Sequence, residues 1–536
     1  MQSSETKYDA IVVGAGIAGM MAASDLNHRG YKVLVLEHNH QAGGLMAGIW
    51  RRGFYFDAGC QSFENMNIVF PLLKQYGLER VAKFHRVRYR LKMPEIDTIV
   101  MSLKQTREDF KKAYPKLAQG FDRVFDMHDL TSAFIKRVFV KEAIPFVERE
   151  SPTAFASWLS RALPWTGSLK TLMLDDFEDW YKRVLPESGV RDLLAHCGYS
   201  RMNVFVASAF WHLWAEDYWY PEGGYQLWFD QWVKALQEKG VEFKFKSTVT
   251  EFEKSGKRVD AVITRKNERF EAKEVVFAGD YKQAVFQLIG SEHFPQSEIA
   301  KLEAAKHSDP LVCVYLGLDL PREKLKEIVK SSHIFYFPDY GCRTELDLND
   351  PEAHKKTFLE VTSHCIDDPS LAPEGKSAVV LQAFTRCEWL DHWRSEGQWD
   401  KRSIEYKELK RKVGDQIVGV FEGIFPDVRK HIEYIDVGSP LSAYRFTKNQ
   451  LGGSCGFELN WRNFPFLNPL AHTKTPLSNL HMAGHFTVWP GAVPTAALSG
   501  KIAAVRAHRR LAKTASRAKT WVKNRIQERT GATLQP

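Results

Sequence analysis

The sequence predicts an α/β fold of two interleaved domains, one built on a βαβ unit and one of mixed sheet plus helices, on three observations. Tyr8-Asp-Ala-Ile-Val-Val-Gly-Ala-Gly-Ile-Ala-Gly19 runs from a buried apolar stretch through a glycine turn into a helix start. A second apolar stretch, Tyr31 to Leu36, ends in Glu37, 18 residues after Gly19. Short strands then recur between helical stretches, from Glu242 to Ala278 and again from Leu311 to Phe384. Strand, turn, helix, strand and carboxylate in that order define a Rossmann-like nucleotide-binding unit.

Each part of the unit has a physical reason. Gly14 permits the tight turn, Gly16 lets backbone approach a pyrophosphate, and Gly19 lets the helix pack closely on the strand. Ile17 and Ala18 lie at the helix start, Glu37 is placed to accept from ribose hydroxyls, and His38 follows it. Ala42-Gly43-Gly44-Leu45 and Gly53-Phe-Tyr-Phe-Asp-Ala-Gly59 come next. Gly43 and Gly44 give a second close backbone approach, which suits the longer FAD better than NAD, because the flavin half extends beyond the first βαβ unit.

At 536 residues and 44% hydrophobic, the chain can bury a large core. No apolar run reaches the ~18 residues that span a bilayer, and the fingerprint starts too early to leave room for a cleaved signal, so a cytoplasmic location is expected. The seven cysteines are scattered without a CxxC, which predicts free thiols and no zinc site. The net charge of +9 belongs to residues 501–536, where ten Lys or Arg face the single acid Glu528. With Ile502, Val505, Leu511, Trp521, Val522 and Ile526 interleaved, this tail reads either as a basic amphipathic helix peripheral on anionic lipid or as a helix packed on the body. The rest of the chain offers no basic bias for nucleic acid.

The remaining elements divide into blocks. Residues 1–90, 220–300 and 431–500 are expected to form the FAD-binding domain. Residues 91–219 and 301–430 would form the substrate domain, helical in 105–215 and a mixed sheet in the second insert, where apolar residues alternate. Val249 lies where a strand end passes the adenine, and Gly279 ends a strand of the same sheet. Gly484 and His485 end the last strand, and Gly491, Ala492 and Val493 precede a helix expected near Pro494. Its free N–H groups suit the N1 and O2 edge of a flavin, where reduction places negative charge.

These motifs together resemble the phytoene desaturase, carotenoid isomerase and retinol saturase family of FAD enzymes. The likeness rests on Asp57-Ala-Gly59, Pro221-Glu-Gly-Gly224, Val275-Val-Phe-Ala-Gly-Asp280, Val314-Tyr-Leu-Gly-Leu318, Ser439-Pro-Leu-Ser442 and, above all, Asp368-Pro-Ser-Leu-Ala-Pro-Glu-Gly-Lys376. Two positions depart from it. Leu45 stands where relatives often carry Arg, and His485 where many flavin enzymes have a carboxylate. His485 reads as a ribityl ligand or as an acid/base group able to titrate near neutrality.

The resemblance implies hydride transfer between an allylic C–H of a long apolar substrate and flavin N5, giving desaturation, saturation or isomerisation. Phe210-Trp-His-Leu-Trp214 and Tyr218-Trp-Tyr220 supply six aromatic rings in eleven positions for such a chain. Trp489, beside the Pro490-Gly491 loop, is expected next to the flavin, and His485 or Glu64 to accept the proton. The alternatives are a flavin amine oxidase and a lipid-binding escort of the same architecture without catalysis.

Overall fold

The computed structural model describes residues 8–138, 156, 160–161, 163–343, 346–399, 402–459, 474–488 and 491–530, with the side chains of 517–530 outside the description. A parallel core of strands forms the nucleotide-binding sheet. Tyr8–Val13 lies between Val33–Leu36 and Arg269–Phe277, and Glu242–Lys244 extends it beyond Val33–Leu36. Arg269–Phe277 changes neighbours along its length. Its Val275–Phe277 end pairs in parallel with Leu480–Met482, and its start pairs antiparallel with Arg258–Thr264, which continues to Val249–Ser255.

Helix Ile17–His28 follows the first strand and buries its first ten residues, because it lies between this sheet and helix Val493–Thr530. The approach is close enough to demand glycine at two points. A Cβ on Gly19 would stand 1.9 Å from the Gly14 carbonyl oxygen, and one on Gly500 would stand 2.0 Å from that of Ala18.

Of the two readings of residues 501–536, the described part fits the helix packed on the body, although the helix starts before 501. It is one continuous helix from Val493, and Ile502, Val505 and Leu511 are core residues rather than a lipid-facing stripe. Arg510 Nε donates to Glu274 Oε1 at 3.0 Å, and His481 Nε2 lies 2.8 Å from the other oxygen of that buried carboxylate. Trp521, Val522 and Ile526 lie outside the described side chains.

The second sheet is mixed, as alternation predicted. Its order is Ile432–Gly438, Leu311–Leu318, Ser377–Phe384, Leu359–Thr362, His333–Tyr336, Tyr89–Lys92 and Asp97–Ile99. All neighbours are antiparallel except His333–Tyr336 with Tyr89–Lys92. Ile432–Gly438 therefore joins this sheet and not the nucleotide-binding block in which residues from 431 onward were expected. The sheet is two-faced with period 2: Val312, Val314 and Leu316 enter the main core, and Leu311, Cys313 and Tyr315 face a cavity. A layer of helices, including Ala118–Val138 and Val204–Glu216, closes the other side. All seven cysteines are free thiols, and among the described residues no helix is long and apolar enough to cross a membrane.

Candidate functional site

A single cavity of about 1230 Å³ runs from the glycine turn to the second sheet. At its nucleotide end lie Gly14, Gly16, Ile17, Ala18, Glu37, His38, Gly43, Gly44, Leu45, Val249 and Gly279. Gly19 is not on the wall; its work is the helix–strand contact described above. Gly14 N–H donates to Leu36 O at 2.8 Å and Gly43 N–H to Ala15 O at 2.9 Å, which locks both glycine segments to one another. Gly14 and Gly43 have φ of +100° and +123°, a region that favours glycine.

Glu37 is buried and holds the turn through two short bonds, from Ala15 N–H at 2.6 Å and Asn39 N–H at 2.7 Å. Burial pushes its carboxyl above the ordinary range, and the backbone donors oppose that. Each oxygen retains acceptor capacity. His38 Nδ1 lies 2.7 Å from Thr248 Oγ1 and its Nε2 3.2 Å from Arg445 O, which ties the second strand to helix Pro440–Thr447.

These residues fit an adenine dinucleotide. A Cβ on Gly16 would meet nothing nearer than 3.9 Å, so glycine there keeps a cradle open and relieves no packing clash. Opposite it, Gly484, His485, Gly491, Ala492 and Val493 line the same cavity. Gly484 N–H donates to Ser499 Oγ at 2.8 Å. Helix Val493–Thr530 begins at the wall, one residue before the expected Pro494, with its first-turn N–H groups lacking intrahelical partners. Gly491 is sterically required, since a Cβ would lie 2.2 Å from Cys455 O.

His485 corrects an expectation. Packing around the imidazole holds its pKa down to about 4, chiefly by desolvation; Asp280 opposes this and His307 adds to it. It is therefore neutral at pH 7 and does not titrate near neutrality; its Nε2 lies 3.3 Å from Asn449 Nδ2. That geometry leaves it a hydrogen-bonding group. Trp489 and Pro490 lie outside the described residues.

Beyond the glycines the wall becomes aromatic. Phe210, Trp211 and Trp214 of helix Val204–Glu216 line it, as does Tyr218. Trp219 and Tyr220 do not: Trp219 packs edge-on to Phe70 at 5.2 Å, and Tyr220 donates to Asp57 Oδ2 at 2.7 Å and stacks on His364. The sheet face opposite adds Tyr89, Phe335, Phe337, Phe358 and Phe384.

Two carboxylates interrupt this apolar wall. Glu64, on the short strand Phe63–Glu64, reaches the cavity, and burial pushes its pKa up to about 7, with Asp217 and Glu360 adding to the effect. Glu360 faces the same space from the second sheet, in register between Gln382 and Phe335, with its Oε1 2.8 Å from His333 Nε2. The Asp57–Ser62 loop that leads to Glu64 is pinned by Gln382 Nε2 to Gly59 O at 2.7 Å, Tyr315 O–H to Ala58 O at 3.1 Å and His364 Nε2 to Gln61 O at 2.7 Å. Glu360, Gln382 and the sheet aromatics were not singled out from sequence. Their signal is the period-2 alternation itself, which shows two faces without saying which one meets a cavity.

The chain belongs to the flavin-containing amine oxidoreductase family, whose model matches residues 17–508. It is accordingly a flavin oxidoreductase with FAD as cofactor. It is 22% identical over 519 residues to all-trans-retinol 13,14-reductase of Danio rerio, covering 89% of this chain and 82% of that one. It is 24% identical over 388 residues to the lycopene-forming phytoene desaturase of Pantoea ananas, covering 69% and 75%. Among solved structures, cyclohexylamine oxidase of Brevibacterium oxydans superposes with a TM-score of 0.59 at 14% identity, over 94% of this chain and all of that one, and shows the shared fold.

Proposed function

We propose that the protein moves hydride between an allylic C–H of a long apolar polyene, isoprenoid or acyl chain and FAD, making or removing a carbon–carbon double bond. The observation that carries this reading is the aromatic cavity continuous with the glycine cradle. Aromatic walls bind such chains through area and dispersion and ask for few polar partners. The relatives named as a reductase and a desaturase support both senses of the reaction. The reading assigns FAD to the blocks at 1–90, 220–300 and after Gly438, and the substrate to the second sheet and helical layer.

Bound FAD would supply the hydride acceptor or donor. The chain's own residues do the rest. Gly14, Gly16, Gly43 and Gly44 admit the diphosphate, Glu37 accepts from the ribose, and the Val493–Thr530 N-terminus stabilises negative charge at the flavin's pyrimidine edge. His485, neutral, offers a hydrogen bond to a ribityl hydroxyl. Glu64, near half-protonated at neutral pH, takes or returns the proton at the carbon next to the hydride site. The aromatic wall excludes water from both events.

The test is mass spectrometry of lipid extracted from the purified protein, followed by anaerobic mixing of that lipid with the flavoprotein. Bleaching of oxidised flavin with gain of a double bond in the lipid establishes desaturation; change only with pre-reduced enzyme establishes saturation or isomerisation. Bleaching by simple amines and by no lipid would refute the proposal in favour of amine oxidation.

A further inference from the structure

The glycine cradle can meet a diphosphate only through neutral backbone. Helix Ile17–His28 is capped by Gly16 without a side-chain hydrogen bond, so no side chain competes for its first-turn N–H groups. A helix start carries about half a unit of positive charge. The second segment adds Gly43, Gly44 and the apolar Leu45, and none of these is charged. The paired negative charges of a diphosphate therefore ask for a cation from elsewhere in the chain.

Helix Pro440–Thr447 brings one. It packs against the Gly44–Met46 turn, and its Ser442 and Arg445, three residues apart and so on one face, both line the cavity. The Arg445 carbonyl lies 3.2 Å from His38 Nε2, which fixes this backbone to the residue after Glu37. Arg445 Nη2 is buried with no hydrogen-bond partner. A buried guanidinium N–H without an acceptor is rare, because it forfeits a charge-assisted bond; turning it toward an anion breaks no hydrogen bond at that nitrogen and makes one. The other cations on the wall differ. Lys448 lies over the Tyr444 ring at 5.1 Å, Lys246 is exposed to solvent, and Arg51 donates from Nη1 to Trp50 O at 2.9 Å.

We propose that Arg445 is the cationic ligand of the FAD diphosphate, its guanidinium turning into the cavity to pair with the phosphate oxygens. Arginine suits this task because its planar fork can hold two oxygens at once and never loses its charge. The proposal rests on the assignment of Gly14, Gly16, Gly43 and Gly44 to the diphosphate made above. It is independent of the substrate and of the direction of the reaction, so its test reads no turnover.

The experiment measures FAD retention by the loaded, full-length protein: samples are diluted at low and at high sodium chloride, and released flavin is read by its fluorescence. Wild-type affinity is expected to weaken with salt. Arg445→Met should bind about tenfold or more weakly at low salt and lose most of the salt dependence, while Arg445→Lys, which keeps the charge and loses the fork, keeps the salt dependence and part of the affinity. Circular dichroism confirms that each variant is folded. Wild-type affinity indifferent to salt would overturn the proposal without any variant. So would an Arg445→Met protein that holds FAD as tightly as wild type. Equal loss in the Met and Lys variants with the salt dependence intact would also overturn it, by assigning the side chain to packing or to the adenine ring. Unchanged retention in Gly16→Ala beside a loss in Arg445→Met would count against the glycine cradle and for the guanidinium.

Discussion

Replacing Glu64 by Gln should make the protein slower and, at alkaline pH, more stable. In the fold, burial moves this carboxyl from an ordinary value of 4.5 to about 7, a displacement worth roughly 3 kcal/mol. A carboxyl raised in the folded state binds its proton more tightly there than in the unfolded chain. Stability is then lost as pH rises from about 4.5 through about 7, and the full penalty remains above that. Gln cannot ionise. Against wild type, Glu64→Gln should therefore gain up to roughly 3 kcal/mol between about pH 5 and pH 8, read as a Tm or urea-midpoint difference measured across that range. Flavin reduction by substrate under anaerobic conditions should fall by about 10²–10⁴ and lose its inflection near neutrality. A stability difference that stays constant with pH, or a reduction rate that keeps its inflection in Glu64→Gln, would refute the argument.

The glycines separate by role. Gly16→Ala should fold with a Tm near wild type, because its Cβ meets nothing within 3.9 Å, yet lose FAD affinity by tenfold or more in a fluorescence titration of apoprotein; Gly19→Ala, driving a Cβ to 1.9 Å from Gly14 O, should lower Tm through overpacking of about 1–3 kcal/mol. His485, held down to about 4, costs stability only as pH falls from 6.5 toward 4. His485→Asn should accordingly change FAD affinity and leave the neutral-to-alkaline pH profile of flavin reduction unaltered in shape. Arg510→Ala leaves buried Glu274 with His481 as its remaining ionisable partner, so denaturant titration should show a loss of about 1–3 kcal/mol.

The first βαβ unit was legible because its signals are local. Gly14, Gly16 and Glu37 lie within 24 residues, and each states a backbone or side-chain requirement that holds wherever the segment ends up. The close approach of Gly43 and Gly44 to the first glycine turn, and the helix that starts beside Gly491, were legible for the same reason. What escaped depends on partners far away in sequence. Ile432–Gly438 has the alternation of any strand, and only its pairing with Leu311–Leu318 moves it to the second sheet. In Phe210–Tyr220 the helix stops at Glu216 and a strand begins at Tyr218, so the period changes from 3.6 to 2. That change turns Trp219 away, and Asp57 captures Tyr220. The tail stayed open between two readings because Ile502, Val505 and Leu511 make the same stripe whether it meets lipid or Ile17–His28.

The pairing of Tyr8–Val13, Arg269–Phe277 and Leu480–Met482 has a consequence for synthesis. Tyr8–Val13 waits for the distant segment Arg269–Phe277 to be synthesised before it can pair on that side, and Arg269–Phe277 in turn waits for Leu480–Met482. Helix Ile17–His28, meanwhile, has its greasy side uncovered until Val493–Thr530 arrives. Such delayed, long-range closure makes a nascent chain slow to mature and prone to aggregate. Shortening it from the C-terminal end past Leu511 would therefore forfeit soluble protein before it forfeited chemistry.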